Sequence, residues 1–282
     1  MSLLLLSLLT GCGLGSSGPT QVDDVFVVAV VVDPPEVGLG DKVRVSVDVA
    51  DPAGLGVEVL VWTCVYVDGR CAEDTVLYPH ERMAILDPAL DEYVEFSAPD
   101  TMEGLGPGDS ALVPLWALAC VPGQCGPLDE MAVVLDAEGA ILLSATQRAN
   151  LANPSEWAAD LGFEESNLAY RTVEASTLPP DSRNRSPVAE ARFSEALETV
   201  FVASTNEQVD LGFLVSDANG DSVYAYGYTT IGEFAERRIK VENGTVHPWF
   251  VAPSTPGTGD LWVVFDDRDG GVSTWHMPVR VQ

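Results

Sequence analysis

A strict alternation of valine with polar residues constrains the fold of this chain more than any other feature of its sequence. In residues 42–49, Lys-Val-Arg-Val-Ser-Val-Asp-Val, every second position is valine. Successive side chains of a β-strand point to opposite faces, so the four valines share one face and predict a half-buried strand. Similar runs separated by Gly, Pro, Asn and Asp recur along the chain, and no long amphipathic helix is indicated. We therefore expect an all-β protein.

The other predicted strands of the first half differ in pattern. Residues 25–32 are a β-branched run, and residues 57–67 are apolar on both faces, as in a central strand of a β-sandwich. Further candidates are 91–97, 111–120, a hairpin of 132–135 with 140–144, and 168–177. One short helix is predicted where Asn153, Pro154 and Glu156 form a capping pattern and Trp157 and Leu161 share a face.

The length of 282 residues permits two domains, and a proline-rich stretch divides them. Residues 179–187 carry prolines at both ends with polar residues between, which is typical of a short, semi-rigid linker. We predict an N-terminal β-sandwich over 21–178 and a C-terminal immunoglobulin-like sandwich over 188–282. The seven strands predicted in the second domain are 189–193, 199–203, 208–215, 223–229, 236–241, 260–265 and 272–281.

The N-terminus carries a leucine-rich segment that ends in Leu9-Thr10-Gly11-Cys12. This motif resembles the lipobox of bacterial lipoproteins, in which the signal peptide is cleaved before a cysteine that receives a lipid, including palmitate. The resemblance implies a signal peptide over 1–11, lipidation of Cys12 and a flexible tether over 12–20. The apolar stretch is too short to span a bilayer. Gly13 follows the cysteine, which in similar lipoproteins implies transfer to the outer membrane, facing the periplasm or the exterior.

Four other cysteines remain, and an even number in an exported chain predicts two disulfides. Sequence spacing suggests the local bridges Cys64–Cys71 and Cys120–Cys125. Loop-closure entropy instead favours a long connection such as Cys64–Cys120, by about 4 against about 2–2.5 kcal/mol, so the connectivity stays open. A zinc site of four thiolates is the rival interpretation, which the wide spacings disfavour.

Charge excludes one class of partner. The chain has 43 acidic and 14 basic residues, for a net charge of −29. A surface this negative repels phosphate backbones, so nucleic-acid binding is not expected. The charges are scattered rather than in blocks, which indicates a solvated exterior.

Three motifs of the second half resemble bacterial PKD-type and cadherin-like immunoglobulin modules. They are an Asn-x-x-Pro opening at 184–187, an acidic loop Asp-Ala-Asn-Gly-Asp at 217–221, and a late Asp-Gly-Gly turn within 264–271. The similarity covers about a hundred residues. It departs in register, because the tyrosines after the acidic loop come one residue later than in that family. The buried face of that strand is therefore open.

The resemblance implies that the two acidic loops lie at the same end of the second sandwich, beside the linker. Hard oxygen ligands with glycine at the bend are what calcium coordination requires. Asp, Asn and Gly are also the commonest turn formers, and plain turns are the interpretation we prefer. Linker residues Asp181 and Asn184 can add ligands. The candidate calcium ligands are Asp217, Asn219, Asp221, Asp266, Asp267 and Asp269.

A tyrosine stripe is the second candidate site. Tyr224, Tyr226 and Tyr228 occupy one face of a predicted strand. Exposed, they would form a stacking platform for a sugar or an apolar partner surface. Buried, they would be core, which is the interpretation we favour because aromatic residues at a spacing of two usually face a packed side.

Catalytic signatures are missing from the sequence: there is no nucleophile elbow, zinc-binding His pair, phosphate loop or dinucleotide fingerprint. His80, His247 and His276 lack metal-ligand spacing. We expect a lipid-anchored, non-catalytic structural or binding module of the cell envelope that contacts the membrane through its lipid and an envelope protein or polysaccharide. The alternatives are a carbohydrate- or peptide-binding lipoprotein and a calcium-dependent adhesion element.

Overall fold

Antiparallel pairing of short strands builds most of the protein, as the alternating pattern predicts. The computed structural model describes residues 21–63, 66–67, 70–71, 84–86, 93–98, 106–121, 134–135, 141–142, 167–193 and 199–282. The predicted leader and tether at 1–20 and the predicted helix around 153–161 lie outside these residues. Within them, the helical structure is a short 3-10 turn at Pro180–Ser182, and no helix has the length and hydropathy to cross a bilayer.

Twelve strands form the first sandwich and its appended hairpins. They are β1 (Phe26–Asp33), β2 (Glu36–Gly38), β3 (Lys42–Ala50), β4 (Glu58–Thr63), β5 (Tyr66–Val67), β6 (Arg70–Cys71), β7 (Ala84–Leu86), β8 (Val94–Ser97), β9 (Ser110–Cys120), β10 (Val134–Leu135), β11 (Ile141–Leu142) and β12 (Leu168–Ser176). One sheet has the order β1-β3-β8, and the facing sheet has the order β2-β12-β9-β4-β7. The pairing of β10 with β11 confirms the predicted hairpin.

Eleven strands form the second sandwich. They are β13 (Val188–Ala191), β14 (Phe201–Ala203), β15 (Gln208–Asp210), β16 (Phe213–Ser216), β17 (Tyr224–Thr229), β18 (Glu233–Phe234), β19 (Arg238–Lys240), β20 (Thr245–Val246), β21 (Trp249–Val251), β22 (Gly257–Asp266) and β23 (Val272–Val281). Their sheets are β14-β23-β22-β17-β19, β13-β16-β20 and β15-β21-β18.

Each sandwich has its own apolar core. In the first, Val43, Val45 and Val47 of the alternating strand are buried, as their period predicts. In the second, Phe213, Phe250 and other aromatic side chains dominate the core. The fold class of two immunoglobulin-like sandwiches in tandem is therefore confirmed, while the limits 21–178, 179–187 and 188–282 stay predictions.

The strand predicted over 208–215 is wrong in one respect, because the structure divides it into β15 and β16. β15 pairs with β21, whereas β16 pairs with β13 and β20. Between them, the Leu211 N–H donates to the Pro248 carbonyl at 2.9 Å, and the chain passes from one sheet to another. An apolar alternation that continues through both strands cannot reveal such a change of partner.

Strand β17 resolves the open question of its buried face, since both faces are buried. Ala225 belongs to the core of the second sandwich. Gly227 faces the same way, and a methyl group there would overlap the Phe234 ring, so only glycine fits. The tyrosines point to the opposite side, toward the first sandwich.

A β-bulge in β1 supplies the surface that meets this face. Val27 pairs with Val49 and Ala29 pairs with Asp48, which leaves Val28 as an extra residue. Val27 and Val30 pack into the first core, whereas Val28 and Ala29 pack in the opposite direction. The apolar run in β1 therefore packs into two clusters, the core of the first sandwich and the cluster that faces β17.

Candidate functional site at the junction of the two sandwiches

An apolar cluster joins the two sandwiches, and we call it the joint cluster. Its buried members are Val22, Val28, Ala29, Ala50, Tyr226, Tyr228, Trp262, Val264 and Val272. The Phe26 ring of β1 lies 5.4 Å from the Tyr228 ring of β17. Beside it, the Val22 N–H donates to the Thr229 carbonyl at 2.7 Å. Residues from both halves of the chain thus form one buried surface, whose removal from water stabilises their association.

The tyrosine stripe lies largely within this cluster. Tyr228 is fully buried and Tyr226 is 6% exposed, whereas Tyr224 at the margin is partly exposed. The three rings therefore do not form the exposed stacking platform that was one of the two interpretations. The platform interpretation is wrong because β1 covers the stripe. Tyr226 and Tyr228 are buried, as the alternative interpretation held, but they are buried between the two sandwiches rather than within one of them.

A buried ion pair crosses the junction. Arg171 of β12 approaches Asp266, the last residue of β22, with Nη2 to Oδ1 at 3.6 Å and both side chains 8% exposed. Arg171 is in phase with Ala169 and Val173, which belong to the first core. A charged side chain in that position needs a partner of opposite charge, and the second sandwich supplies it.

The linker is tied to both sandwiches through Asn184, which is 8% exposed. Its backbone N–H donates to Glu36 Oε2 of β2 at 2.6 Å. Its Nδ2 donates to Asp267 Oδ2 at 3.1 Å and to the Asp269 carbonyl at 2.9 Å, while its Oδ1 accepts from the Arg185 N–H at 2.8 Å. These partners determine the amide orientation. Asn184 therefore presents nitrogen to the acidic loops, and the idea that it adds a calcium ligand is wrong.

Asn219 also binds the linker rather than the other acidic-loop side chains. Its Nδ2 donates to the Arg183 carbonyl at 3.1 Å, and its Oδ1 accepts from the Arg185 N–H at 3.1 Å. Arg183 in turn forms an ion pair with Asp41 of the first sandwich at 2.9 Å. Asn219 thus holds the backbone on both sides of Asn184.

The two acidic loops do converge, as the resemblance implied, but with fewer carboxylates than the six candidates. Ligand oxygens of Asp217, Asp221 and Asp267 all lie within 4.8 Å of one another. Asp217 Oδ1 accepts from the N–H groups of Asn219 and Asp221, an Asx-type turn. Asp267 Oδ1 accepts from the N–H groups of Asp269 and Gly271 at 2.7 and 2.8 Å. We call the three side chains the carboxylate group.

Like charges at close range and burial alter the titration of this group. Burial raises the pKa of Asp267 to about 6, despite hydrogen bonds from Asn184 and from two backbone N–H groups that act in the opposite direction. The pKa of Asp221 is also raised, by burial first and then by the charges of Asp269 and Asp217. Asp269 therefore lies beside the carboxylate group, whereas Asp266 is engaged by Arg171.

The remaining sequence candidates have mixed outcomes. Cys120 is buried at the end of β9. The side chains of Cys64, Cys71 and Cys125 lie outside the described part, as does Cys12, so the disulfides and the lipidation site stay predictions. His247 contacts Asp210 at 3.0 Å, and His276 contacts Asp260 at 2.9 Å while stacking on Trp262. These two histidines therefore contact different carboxylates and do not form a common site.

Sequence reasoning missed Arg171 and Glu36 as junction residues. A signal for Arg171 exists, because a charge in phase with Ala169 and Val173 on the buried face of a strand calls for a partner. Glu36 offers no such signal, since it lies in a three-residue strand that the sequence pattern does not predict.

Comparisons with known proteins identify similar structures and no family. No family model matches the chain, and no curated protein is significantly similar to it. Solved structures of low similarity include the D0-D1 domain of Intimin, with 12% identity, a TM-score of 0.26, and coverage of 90% of this chain and 98% of that one. Invasin, a bacterial integrin-binding protein, has 14% identity and a TM-score of 0.24, covering 92% and 39%. The Yersinia pseudotuberculosis adhesin InvE has 8% identity and a TM-score of 0.25, covering 89% and 58%. At these scores the similarities carry no argument about what this chain does.

Proposed function

We propose that this chain is a lipid-anchored, non-catalytic module of the bacterial cell envelope whose two sandwiches form a single stiff unit. The observation that carries the proposal is the junction. There the joint cluster, the Arg171–Asp266 pair and the hydrogen bonds of Asn184 all connect the two halves. Domains move relative to one another unless the interface between them is large and apolar, and the buried members of the joint cluster are apolar and aromatic side chains. A stiff pair of sandwiches suits a spacer or a binding scaffold held away from a membrane.

The anchor and the domain limits complete this proposal. The lipobox at Leu9–Cys12 supports removal of residues 1–11, lipidation of Cys12 with palmitate and a tether over 12–20. Gly13 supports an outer-membrane location, and the acidic-loop motifs support a PKD- or cadherin-like type for the second sandwich. We place the first sandwich at 21–178, the linker at 179–187 and the second sandwich at 188–282. An envelope protein or polysaccharide is the proposed partner.

Lipidation is tested by replacing Cys12 with serine in the full chain, expressed in a bacterium fed radiolabelled palmitate. We expect the label and membrane association to be lost, because the serine hydroxyl does not receive the lipid and the tether alone has no affinity for a bilayer. The matched control is Thr10→Ser, which keeps a small residue in the cleavage motif and should retain the label. Labelling of the Cys12→Ser protein would contradict the anchor.

A second candidate function is calcium-dependent adhesion, which the approach of Asp217, Asp221 and Asp267 within 4.8 Å favours. Oxygen ligands in this arrangement suit Ca²⁺, and Asp217 Oδ2 has no hydrogen-bond partner among the described residues. Asn219 and Asp266 are turned to other partners and contribute no ligand oxygen to the group. Asp181, exposed in the linker, is outside it.

Thermal unfolding in millimolar CaCl₂ and in EDTA tests this candidate. An ion that binds only the folded state adds about 2.7 kcal/mol at a hundredfold excess over its Kd, so Tm should rise by several degrees. The rise should disappear in the double variant Asp217→Asn, Asp221→Asn and persist in Asp181→Asn. An equal rise with MgCl₂ at the same concentration, or none with CaCl₂, would reduce the loops to turns that hold the linker.

A further inference from the structure

A cluster of basic side chains surrounds one tyrosine at the edge of the junction. Tyr224 lies at the start of β17, partly exposed. The guanidinium carbon of Arg238, from β19, is 4.1 Å from the centre of its ring, and that of Arg268, from the turn after β22, is 4.7 Å away. Lys240 is the direct cross-strand neighbour of Tyr224. Two guanidinium groups from two different elements thus contact one ring, and a lysine lies opposite its residue on the neighbouring strand, in a chain with only 14 basic residues.

These cations are not neutralised by carboxylates within the described part of the chain. Other arginines there form ion pairs: Arg44 with Glu95, Arg171 with Asp266 and Arg183 with Asp41. Arg238, Lys240 and Arg268 form none within 4.0 Å among the same residues, and all three are exposed. Arg185 and Arg280 also form no ion pair among the described residues, so the shared aromatic ring, rather than the unpaired charge, distinguishes this place.

Stacking on an aromatic ring holds a guanidinium without using its hydrogen-bond donors. The ring contacts the π face, whereas the N–H groups lie in the plane of the fork and stay able to bind an oxyanion in a bidentate manner. Two arginines held on one ring therefore present several N–H donors with little loss of side-chain entropy on binding. This preorganisation lowers the entropic cost of binding an anion that reaches the edge of the ring.

The backbone at Arg268 supports a role for its side chain. Its φ is +71°, in the left-handed region where glycine or asparagine costs less. An arginine in this conformation is strained locally, and the Tyr224 contact is the one interaction of its side chain in the described structure. Strain of this kind persists where the side chain has a use.

The overall charge limits what the site can bind. A long polyanion would meet a surface of net charge −29 on every side and be repelled. A single oxyanion on a small molecule is small enough to contact these basic side chains alone, although Asp267 and Asp269 flank Arg268 in the chain. Tyr224 also offers the exposed part of its ring to an adjoining apolar or sugar group.

We propose that Arg238, Arg268 and Lys240 around Tyr224 form a binding site for one oxyanion group, a carboxylate or a phosphate, carried by a small molecule such as an acidic sugar or a phosphate ester. The site uses none of the side chains of the carboxylate group, although Arg268 directly follows Asp267 in the chain, and it does not require lipidation or calcium. It gives the module a ligand class that its acidic composition otherwise argues against.

The test is a titration of the purified protein with glucuronate, inorganic phosphate and heparin, followed by NMR of the arginine Nε–Hε signals and the tyrosine ring signals. We expect saturable shifts at Arg238, Arg268 and Tyr224 with at least one of the two small anions. In the double variant Arg238→Gln, Arg268→Gln, the affinity should fall about tenfold or more, because two charge-assisted hydrogen-bonding groups are lost. The two small anions distinguish carboxylate from phosphate.

The matched control is Arg280→Gln, which removes an exposed arginine of β23 at another edge and should leave the titration unchanged. Tm of each variant shows whether the fold is kept. Shifts that never saturate, an equal loss of affinity in Arg280→Gln, or tighter binding of heparin than of either small anion would each overturn the proposal.

Discussion

Replacing Arg171 with methionine is expected to lower the free energy of unfolding by about 3–5 kcal/mol. Methionine keeps most of the apolar stem but removes the guanidinium at 3.6 Å. The carboxylate of Asp266, 8% exposed, then keeps the Arg268 N–H at 2.7 Å as a hydrogen-bond donor but loses its cation. Removing one member of a buried ion pair costs more than the pair itself contributes, because the remaining charge is desolvated and uncompensated. Denaturant unfolding with a single fitted m-value measures the change.

Two further variants identify the cause. The double variant Arg171→Met, Asp266→Asn should recover a large part of the loss, since neither member of the pair is left as an unpaired buried charge. Arg44→Met removes an arginine whose ion pair with Glu95 is exposed, and it should have at most a small effect on stability because solvent screens the pair. If Arg171→Met and Arg44→Met destabilised the protein equally, the ion pair across the junction would have no special role.

Raising the pH from about 4 to about 6.5 in EDTA is expected to remove roughly 2–3 kcal/mol of stability through Asp267 alone. Burial raises the folded-state pKa of this carboxyl from 3.8 to about 6, so the folded protein favours its protonated form. The resulting stabilisation is fully present below the unfolded-state pKa and is lost as the pH rises through the folded-state pKa. One unit of pKa difference corresponds to about 1.4 kcal/mol.

The measurement is the free energy of unfolding at intervals from pH 3.5 to 7.5, compared between the protein and its Asp267→Asn variant. Repulsion among the many other carboxylates also lowers stability as pH rises, so the quantity of interest is the difference between the two curves. The variant curve should be flatter in the window between pH 4 and 6.5. Asp181→Asn, which removes an exposed linker carboxylate, should run parallel to the unmodified protein. Parallel curves for Asp267→Asn would contradict the raised pKa.

Several elements of the fold were predictable from local sequence because the periodicity of a strand is written in adjacent residues. The alternating valines of β3 predicted its buried face, and the hairpin of β10 and β11 was read from two short apolar runs. The very short strands were not predictable, since three residues such as Glu36–Gly38 contain no period. They are recruited by neighbouring strands rather than by their own preference.

For the candidate site, the convergence of the acidic loops was predicted correctly. The partner of each side chain in those loops was not predicted. Asp217 and Asp266 look equivalent in the sequence, yet one joins the carboxylate group and the other pairs with Arg171. Likewise an asparagine in a linker can offer oxygen or nitrogen. Only the positions of its neighbours orient the Asn184 amide so that nitrogen faces Asp267.

The sequence by itself determined that this protein is all-β and that the strands at 25–32 and 223–229 are apolar enough to be buried, and it predicted a division near the proline-rich stretch. The tertiary structure alone decided what buries them. β1 covers the tyrosine face of β17, and Arg171 meets Asp266, through contacts between residues far apart in the chain. The local sequence pattern indicates which side chains of a strand share a face and whether that face is apolar. The partner across an interface depends on the register and packing of whole sheets, which the bulge at Val28 and the two-sided burial of β17 bring about.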